Sequence, residues 1–255
     1  MEDVPCNLCA SRDEELRFEI NGYNIVCCRK CGLVYNNPRP VGGEQSIYGE
    51  GHACYSLPPK RSTRKFRGYM RRVERFAKGG DLLDVGCATG EFLLAARSSG
   101  WCVVGLDVSE YATNYAREKH GLSVITGYVQ DADLPPESFD VVTLWATIEH
   151  MRDPNGDLKS LARLLRPGGL IVVYTGNIGG FRPILQGAKW RLLTPPEHLY
   201  FFNRRTLCQM LDQCGFNILR TETAGRVGLI SIPILKQIGN KLRWGDLMYV
   251  YGAKR

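Results

Sequence analysis

The chain has no long apolar run and no opening segment of the kind that directs a protein into a membrane. No stretch among its 255 residues approaches the roughly 18 consecutive apolar residues that a membrane-spanning helix needs. No charged-then-apolar signal segment opens the chain. We therefore expect a cytoplasmic protein without a membrane span. Its 44% hydrophobic and 23% charged residues are ordinary for a globular protein, and its length suffices for an α/β core with one small appendage.

Two common nucleotide-binding motifs are also missing. The sequence contains no Gly-x-Gly-x-x-Gly, and no Lys-Ser/Thr pair follows a glycine-rich loop as in P-loop proteins. Instead, the apolar run Leu82–Val85 includes Asp84, and Gly86 and Gly90 bracket a turn before a predicted helix. Such a unit points backbone N–H groups at a ligand, and glycine lets the backbone approach it closely. Asp84 suits a cationic group better than a phosphate. The alternative is an ordinary tight turn between a strand and a helix.

Cysteine is abundant but unevenly distributed. Of the ten cysteines, four form two Cys-x-x-Cys pairs near the start of the chain, Cys6/Cys9 and Cys28/Cys31. In a chain without a secretion signal, two such pairs at this separation predict a four-thiolate zinc ribbon with short strands between the pairs. Four thiolates leave no open coordination position, so we expect a structural zinc ion. The alternative is four unconnected free thiols.

Apolar runs alternate with helical patterns after residue 80 and predict an α/β sheet. The second run, Cys102–Asp107, ends in an acid about 20 residues beyond Asp84, where a carboxylate can accept both hydroxyls of a ribose. Ser109 is expected to cap the helix that follows. Further strands are predicted at residues 123–129, 139–145, 170–174, 216–221 and 246–252.

A longer succession of motifs indicates a family. A Phe-Asp strand, a Glu-His-x-x-Asp-Pro turn, a helix ending in Pro-Gly-Gly and another strand follow one another between residues 139 and 174. With the glycine-containing loop, they resemble the class I S-adenosylmethionine (SAM)-dependent methyltransferases across residues 80–176. The resemblance implies a Rossmann-like seven-stranded α/β sheet whose last strand is antiparallel, with SAM as co-substrate.

The resemblance also implies a set of cofactor-binding residues. They are Asp84, Gly86, Cys87, Ala88, Gly90, Asp107, Val108, Tyr128, Val129 and Trp145. Many relatives carry an Asp where this chain has Tyr128, so backbone groups or Asp131 must contact the adenine here.

On this basis we divide the chain into three parts. Residues 1–40 form the zinc-ribbon segment, residues 41–78 a linker and a basic helix that covers the SAM pocket, and residues 79–255 the methyltransferase domain. An insertion at about 176–203 contains the string Pro-Glu-His-Leu-Tyr-Phe-Phe. This string resembles the acceptor-site segment of bacterial small-molecule methyltransferases, many of which also carry an N-terminal four-cysteine segment.

Two histidines stand beside an acid and are candidate catalytic residues. They are His150, next to Glu149, and His198, next to Glu197. A hydroxyl or acidic C–H acceptor requires a base, and an imidazole pKa near about 6.5 suits that role. We predict catalytic roles for His198, Glu197 and His150. Alternatively, His198 orients the insertion and His150 fixes the loop after the fourth strand.

The leading hypothesis is methyl transfer to a small-molecule or carrier-linked acceptor, at oxygen more than at carbon. Related enzymes modify sugars, quinone precursors and secondary metabolites. The absence of an Asn/Asp-Pro-Pro-Tyr/Phe motif argues against a relative of the DNA amino-methyltransferases.

The alternative is an RNA (rRNA base) methyltransferase, in which the zinc ribbon binds RNA. Some rRNA guanine-N1 methyltransferases resemble this layout, and the net charge of +7 is concentrated near one predicted helix, where it can attract phosphates. The basic residues are Lys60, Arg61, Arg64, Lys65, Arg67, Arg71, Arg72 and Arg75. Such a run is also typical of a solvated helix face. A third hypothesis, a non-catalytic zinc-ribbon adaptor, conflicts with the intact Asp84, Gly86, Gly90 and Asp107.

Overall fold

The structure is a computed structural model that describes residues 1–42, 59–225 and 244–255. Most of the predicted linker, residues 43–58, lies outside the described residues. The strands are β1 (Glu14–Ile20), β2 (Tyr23–Cys28), β3 (Val34–Asn36), β4 (Asp81–Val85), β5 (Cys102–Asp107), β6 (Val124–Thr126), β7 (Phe139–Trp145), β8 (Leu165–Gly176), β9 (Tyr200–Phe201), β10 (Phe216–Ala224) and β11 (Leu247–Lys254). The helices are α1 (Pro59–Val73), α2 (Glu91–Ser98), α3 (Glu110–His120), α4 (Pro154–Leu164), α5 (Phe181–Gln186) and α6 (Arg204–Gln213), with a 3₁₀ turn at Gly187–Lys189.

The strands form two sheets. The larger has seven strands in the order β10-β11-β8-β7-β4-β5-β6, and its last strand in the chain runs antiparallel. The smaller has four strands in the order β1-β2-β3-β9. The predicted α/β fold class, a seven-stranded methyltransferase sheet, is confirmed.

The described chain divides into two compact units. The first comprises residues 1–42, 146–158, 173–225 and 244–252, and the second comprises residues 59–145, 159–172 and 253–255. The four-cysteine segment therefore belongs to the same unit as the insertion at 176–203, although the two are far apart in sequence.

In the second unit, β4 lies between two parallel neighbours. Leu83 pairs with Val104 of β5 and with Val142 of β7, and all but the first residue of β4 are buried. This burial explains why the strand is apolar almost throughout. Successive strands lie on opposite sides of β4, which makes its carboxyl end the switch point where open α/β sheets bind ligands.

Arg166 explains two of the sequence motifs. Its guanidinium donates to Asp81 at the start of β4 (2.8 Å) and to Asp140 at the start of β7 (2.6 Å). Asp140 also accepts the backbone N–H of Asp81 at 2.8 Å. The Phe-Asp and Arg-Pro-Gly-Gly motifs therefore hold together the ends of the strands opposite the switch point.

Four predicted strands differ in their bounds from the observed ones. β10 extends to Ala224 rather than ending at residue 221, and β11 runs from Leu247 to Lys254 rather than over 246–252. β6 ends at Thr126, because its pairing with β5 ends where Thr126 meets Asp107, so the predicted extension to Val129 was wrong. β8 begins at Leu165 rather than Leu170 and includes the Pro-Gly-Gly stretch, which the sequence predicts as the end of the preceding helix.

In the first unit, a short ladder joins the four-cysteine segment to the insertion. Val34 and Tyr35 of β3 pair with Phe201 and Tyr200 of β9, and the N–H of Asn36 donates to Leu199 O at 2.9 Å. An apolar cluster lies beside this ladder and draws on both parts of the chain. Its buried members are Ile25, Val34, Ile178, Trp190, Leu193 and Phe201.

A second set of contacts joins the four-cysteine segment to the turn after β7. Asn7 accepts the N–H of Asn155 in the first turn of α4 (2.9 Å) and donates to Asp153 (2.8 Å). Helix N-termini leave N–H groups without intrahelical partners, so Asn7 completes the start of α4 from outside the helix. Arg39 adds a bond from its guanidinium to Arg152 O at 2.7 Å.

Close packing at Gly105 predicts a specific stability effect. A Cβ at this position would lie 2.7 Å from both Cys87 Sγ and Leu93 Cδ1. Gly105→Ala should therefore destabilise the protein by about 1–3 kcal/mol through overpacking, measured by chemical denaturation.

Gly68→Ala is the matched control. A Cβ on Gly68, within α1, meets nothing within 4 Å, so this change should stabilise the protein by up to about 1 kcal/mol. Equal stabilities for Gly105→Ala and the parent protein would contradict the packing argument.

Candidate active site

The loop after β4, residues 86–90, has the shape expected of a ligand-binding turn. Gly86, Ala88 and Gly90 have φ of 72°, 47° and 86°, all in the left-handed region. Glycine adopts this conformation without strain, whereas Ala88 does so at a cost. The N–H of Ala88 donates to Asp107 Oδ2 at 2.8 Å, which holds the residue in place. The loop is therefore fastened to the end of β5.

Asp84 is buried near the end of β4, with 2% of its surface exposed. Thr143 of β7 donates to its Oδ1 at 2.6 Å. Burial raises the pKa of the Asp84 carboxyl to about 8; the negative charge of Asp107 adds to this increase, and the Thr143 hydrogen bond opposes it. A cation bound beside Asp84 would offset the cost of its buried charge.

Asp107, at the end of β5, uses both carboxylate oxygens locally. In addition to Ala88, it accepts the N–H of Ser109 at 2.9 Å. Burial raises the pKa of this carboxyl as well. Ser109 caps α3 as predicted, because its hydroxyl accepts from the N–H of Ala112.

Trp145 lies at the end of β7 within an aromatic group. Its ring stacks on Tyr69 of α1, with centroids 4.2 Å apart, and meets the edge of Phe92 at 5.0 Å. Its indole Nε1 is buried and has no hydrogen-bond partner among residues 1–42, 59–225 and 244–255. This unsatisfied donor marks a position where a ligand acceptor would fit.

The remaining predicted cofactor residues follow the strand ends of the same unit. Cys87 is buried within the loop, and Val108 directly follows β5. Tyr128 and Val129 lie beyond the end of β6, with Tyr128 45% exposed and Val129 buried. Asp84, Thr143, the loop and Asp107 are in direct contact, whereas Tyr128 and Val129 are connected to them through the pairing of β5 with β6.

The four cysteines of the two pairs form one cluster. The Sγ atoms of Cys6, Cys9, Cys28 and Cys31 all lie within 4.8 Å of one another, with Cys6 and Cys31 at 3.4 Å and Cys9 and Cys28 at 3.5 Å. Tetrahedral zinc with Zn–S bonds of about 2.3 Å places its sulfur ligands about 3.8 Å apart, so the cluster fits that ion.

The two Cys-x-x-Cys turns have the same conformation. The N–H of Ala10 donates to Cys6 O, and that of Gly32 donates to Cys28 O, both at 2.8 Å. Both residues are left-handed, with φ of 57° at Ala10 and 78° at Gly32. The repetition of one turn around a single cluster of sulfurs supports a shared ligand.

The two predicted catalytic histidines are neighbours. The rings of His150 and His198 lie 4.6 Å apart, inclined at 78°. His198 Nδ1 lies 2.7 Å from Leu192 O, and His150 Nδ1 lies 2.8 Å from Glu197 O. A carbonyl oxygen only accepts, so each Nδ1 carries a proton, and the neutral form of the His198 ring has its lone pair on Nε2.

The acid beside His198 is Glu149. This residue is buried, accepts from Thr175 Oγ1 at 2.8 Å, and forms with the two histidines a group whose ligand atoms lie within 4.8 Å of one another. Burial raises the pKa of Glu149. Burial also lowers the pKa of His198; the nearby His150 lowers it further, whereas the charge of Glu149 acts to raise it. Glu197 contributes its backbone carbonyl to His150, while its side chain is exposed.

The sequence places His198 beside its chain neighbour Glu197 and does not indicate that Glu149 lies near it in the folded chain. It also did not identify Thr143 and Thr175, which position Asp84 and Glu149. Thr143 carried a signal, since it is a hydroxyl within an apolar buried strand. Glu149 carried none, because its contact with His198 forms only in the folded chain.

Known proteins establish the family. A family model described as a methyltransferase domain matches residues 60–221, more than half of the chain. The chain belongs to the SAM-dependent methyltransferases, as its motifs predicted.

The relatives include small-molecule enzymes. The chain is 34% identical over 148 residues to a ubiquinone biosynthesis O-methyltransferase of Aliivibrio fischeri, covering 53% of this chain but only 63% of the relative. It is 33% identical over 170 residues to a protein of the same name from Thiobacillus denitrificans, covering 62% of this chain and 71% of the relative.

Solved structures show the same fold. A SAM-dependent methyltransferase of Thermotoga maritima aligns with a TM-score of 0.61 at 20% identity, over 83% of this chain and 99% of its own. A SAM-dependent methyltransferase from Archaeoglobus fulgidus aligns with a TM-score of 0.58 at 18% identity, over 75% and 94%. Separately, none of the helices within residues 1–42, 59–225 and 244–255 has the length and apolar character to cross a bilayer.

The raised pKa of Asp84 predicts a pH-dependent stability. The folded protein holds this proton up to about pH 8, whereas an unfolded Asp loses it near about pH 3.9. The contribution of Asp84 to the free energy of unfolding therefore falls as pH rises from about 4 to about 8. Without SAM, Asp84→Asn should melt higher than the parent protein by at least about 2–4 °C at pH 8, and by less at pH 5.

Melting curves at several pH values test this expectation, with Asp133→Asn as the control because Asp133 is an exposed acid. The control should show a small difference from the parent protein that does not change with pH. An Asp84→Asn gain that is equal at pH 5 and pH 8 would contradict the burial argument.

Proposed function

We propose that this protein is a SAM-dependent O-methyltransferase of a small-molecule or carrier-linked acceptor. The observation that carries the proposal is the His198 ring, whose Nδ1–H donates to Leu192 O, so that the neutral ring carries its lone pair on Nε2. The ring also lies near the buried Glu149. The curated relatives, named as ubiquinone biosynthesis O-methyltransferases, favour oxygen as the atom methylated.

We assign SAM to the carboxyl ends of β4, β5 and β7. The buried carboxylates of Asp84 and Asp107 fit a ligand that is both cationic and rich in hydroxyls. Asp84 faces the cationic part, Asp107 the ribose, and the backbone of residues 86–90 packs against the ligand. The unpartnered Nε1 of Trp145 offers a further donor. When bound, SAM supplies the activated methyl group.

His198 acts as the general base for the acceptor. Its Nε2 takes the proton of the acceptor hydroxyl as that oxygen gains the methyl group. The pKa of His198 is lowered by burial, which keeps the ring neutral near pH 7. Glu149 stabilises the imidazolium that forms, and the carbonyl of Leu192 fixes the tautomer throughout. His150 holds the Glu197 carbonyl and so positions the segment that carries His198.

We assign a structural zinc ion to Cys6, Cys9, Cys28 and Cys31. The ion would occupy four thiolates and leave no coordination position for the acceptor. Through β3 and Asn7, the segment contacts β9 and the turn that carries Glu149 and His150. The role we propose for the metal is therefore to hold these catalytic segments in place.

His198→Ala should lower the turnover of labelled methyl transfer from SAM by on the order of a hundredfold, because the base is lost. The transfer is measured into two fractions of a cell extract, small molecules and total RNA. Label should enter the small-molecule fraction and fall sharply with His198→Ala. His120→Ala, at the exposed end of α3, should match the parent enzyme.

Label confined to the RNA fraction would instead support an RNA methyltransferase. Equal turnover in His198→Ala and the parent enzyme would remove His198 from the mechanism.

The zinc assignment predicts one metal ion per chain, measured by elemental analysis of the purified protein. Cys9→Ser should lose this metal, whereas Cys27→Ser should keep it, because Cys27 lies outside the sulfur cluster. SAM affinity, measured by calorimetry, should be the same in both variants. A protein that retains its metal after Cys9→Ser would contradict the four-thiolate site.

A further inference from the structure

Helix α1 presents a row of arginines on its outer face. Its 15 residues include no acid, even in the first turn, where an acid would stabilise a helix. Arg64, Arg67 and Arg71 are exposed, and they follow one another at intervals of three and four residues. Residues at these intervals are neighbours on one side of a helix. The three arginines therefore form a single row, about 10 Å long at a rise of about 1.5 Å per residue.

No acid of the protein neutralises this row. Within the part of the chain that the structure describes, Arg64, Arg67 and Arg71 form no ion pair. Elsewhere on the surface, arginines lie beside acids, as Arg29 lies 3.4 Å from Glu15. Like charges three or four residues apart destabilise a helix. The row is thus kept at a cost in stability that an anionic partner would offset.

Gly68 lies among the three arginines and is a second unexplained feature of this face. A Cβ on Gly68 would meet nothing within 4 Å, so no contact among the described residues requires a glycine here. Its backbone is that of an ordinary helix, in which glycine is less stable than alanine. A missing side chain leaves a notch at Gly68 where the backbone of another molecule can approach closely.

The opposite face of α1 covers the proposed cofactor site. Tyr69 is buried and stacks on Trp145 at the end of β7, with ring centroids 4.2 Å apart. Phe66 lies 6.4 Å from Phe92, which follows the loop at residues 86–90. A partner on the outer face would therefore be separated from these rings by the thickness of one helix, about 10 Å.

We propose that the outer face of α1 docks an acidic helix of a carrier protein that bears the acceptor. Carboxylates three and four residues apart on that helix match Arg64, Arg67 and Arg71, because a guanidinium binds a carboxylate through two parallel hydrogen bonds. The notch at Gly68 lets the two helices approach closely. This inference rests on the proposed function and names the partner of its carrier-linked acceptor.

The same features favour a protein partner over RNA. Proteins that bind single-stranded RNA usually offer aromatic rings on which bases stack. In α1, Phe66 and Tyr69 instead face inward against Phe92 and Trp145. A phosphate chain held by long arginine side chains also gains nothing from the notch at Gly68, whereas two packed helices interlock their surfaces.

The test measures binding of holo acyl carrier protein, a small acidic helical protein, to the full-length, zinc-loaded protein by calorimetry without SAM. Gly68→Leu should weaken this binding by about tenfold, because its side chain fills the notch. Arg67→Glu should weaken it by about fivefold, and this effect should shrink at high salt.

Arg205→Glu is the matched control, because it makes the same charge change at an exposed arginine in the first turn of α6. It should change the affinity for the carrier protein by less than about twofold.

Melting temperatures and SAM affinity show whether the variants keep the fold. Gly68→Leu should melt at or above the parent protein, because leucine favours a helix and a Cβ has room here. Arg67→Glu should do the same, because it places an acid between Arg64 and Arg71. Both variants should bind SAM as the parent protein does. If Gly68→Leu melts well below the parent protein, Gly68 packs within the protein and the proposal is wrong.

Three other results would overturn the proposal: no binding of the carrier protein, equal binding by Gly68→Leu and the parent protein, or tighter binding of a short single-stranded RNA that also depends on Arg67. A failure of the proposed function looks different. In that case, the carrier protein binds and depends on Arg67 and Gly68, but labelled methyl reaches neither free nor carrier-linked small molecules.

Discussion

The pairing of β3 with β9 is the constraint on which the candidate catalytic residues depend. β9 has only two residues and begins two positions after His198. A strand this short has too few hydrogen bonds to persist by itself, so its position is set by the sheet to which it adds. The backbone N–H groups of Leu199 and Tyr200 both donate to the backbone oxygen of Glu149. These bonds hold Glu149 against the segment that carries His198 and β9. The geometry of the histidines therefore depends on a sheet whose other strands come from the four-cysteine segment.

Two buried carboxyl groups dominate the proposed cofactor site. Asp84 and Asp107 lie at the ends of adjacent parallel strands, and each raises the electrostatic cost of the other's ionisation. Together with the left-handed Ala88, they make this part of the protein less stable than an apolar packing would be. A cationic ligand would recover part of that cost. Sites of this kind exchange stability of the free protein for affinity toward the ligand.

Local signals in the sequence predicted a large part of the fold. The bounds of β5 and β7 and the Ser109 cap were predicted correctly, because each depends on the residues of one short stretch. The two Cys-x-x-Cys pairs were found for the same reason. The predicted β6 was too long, because the end of this strand is set by its pairing with β5 and not by its own composition.

The candidate site was harder to predict because it depends on contacts between distant parts of the chain. Asn7 meets Asn155 across 148 positions, and no periodicity or motif reports such a contact. The proximity of Glu149 to His198 belongs to the same category. The segments that carry the candidate site were predictable from their motifs. The acid near His198 was not, because the linear sequence shows only its chain neighbour Glu197.

The late arrival of β9 has a consequence for biosynthesis. The four-cysteine segment leaves the ribosome well before β9, so the edge of β3 that pairs with β9 receives this partner only after Phe201 has been made. Until then, the backbone groups of β3 are open to pairing with another nascent chain, as exposed sheet edges generally are. Early closure of the two cysteine turns around a metal would keep this edge short and fixed while the rest of the polypeptide is being synthesised.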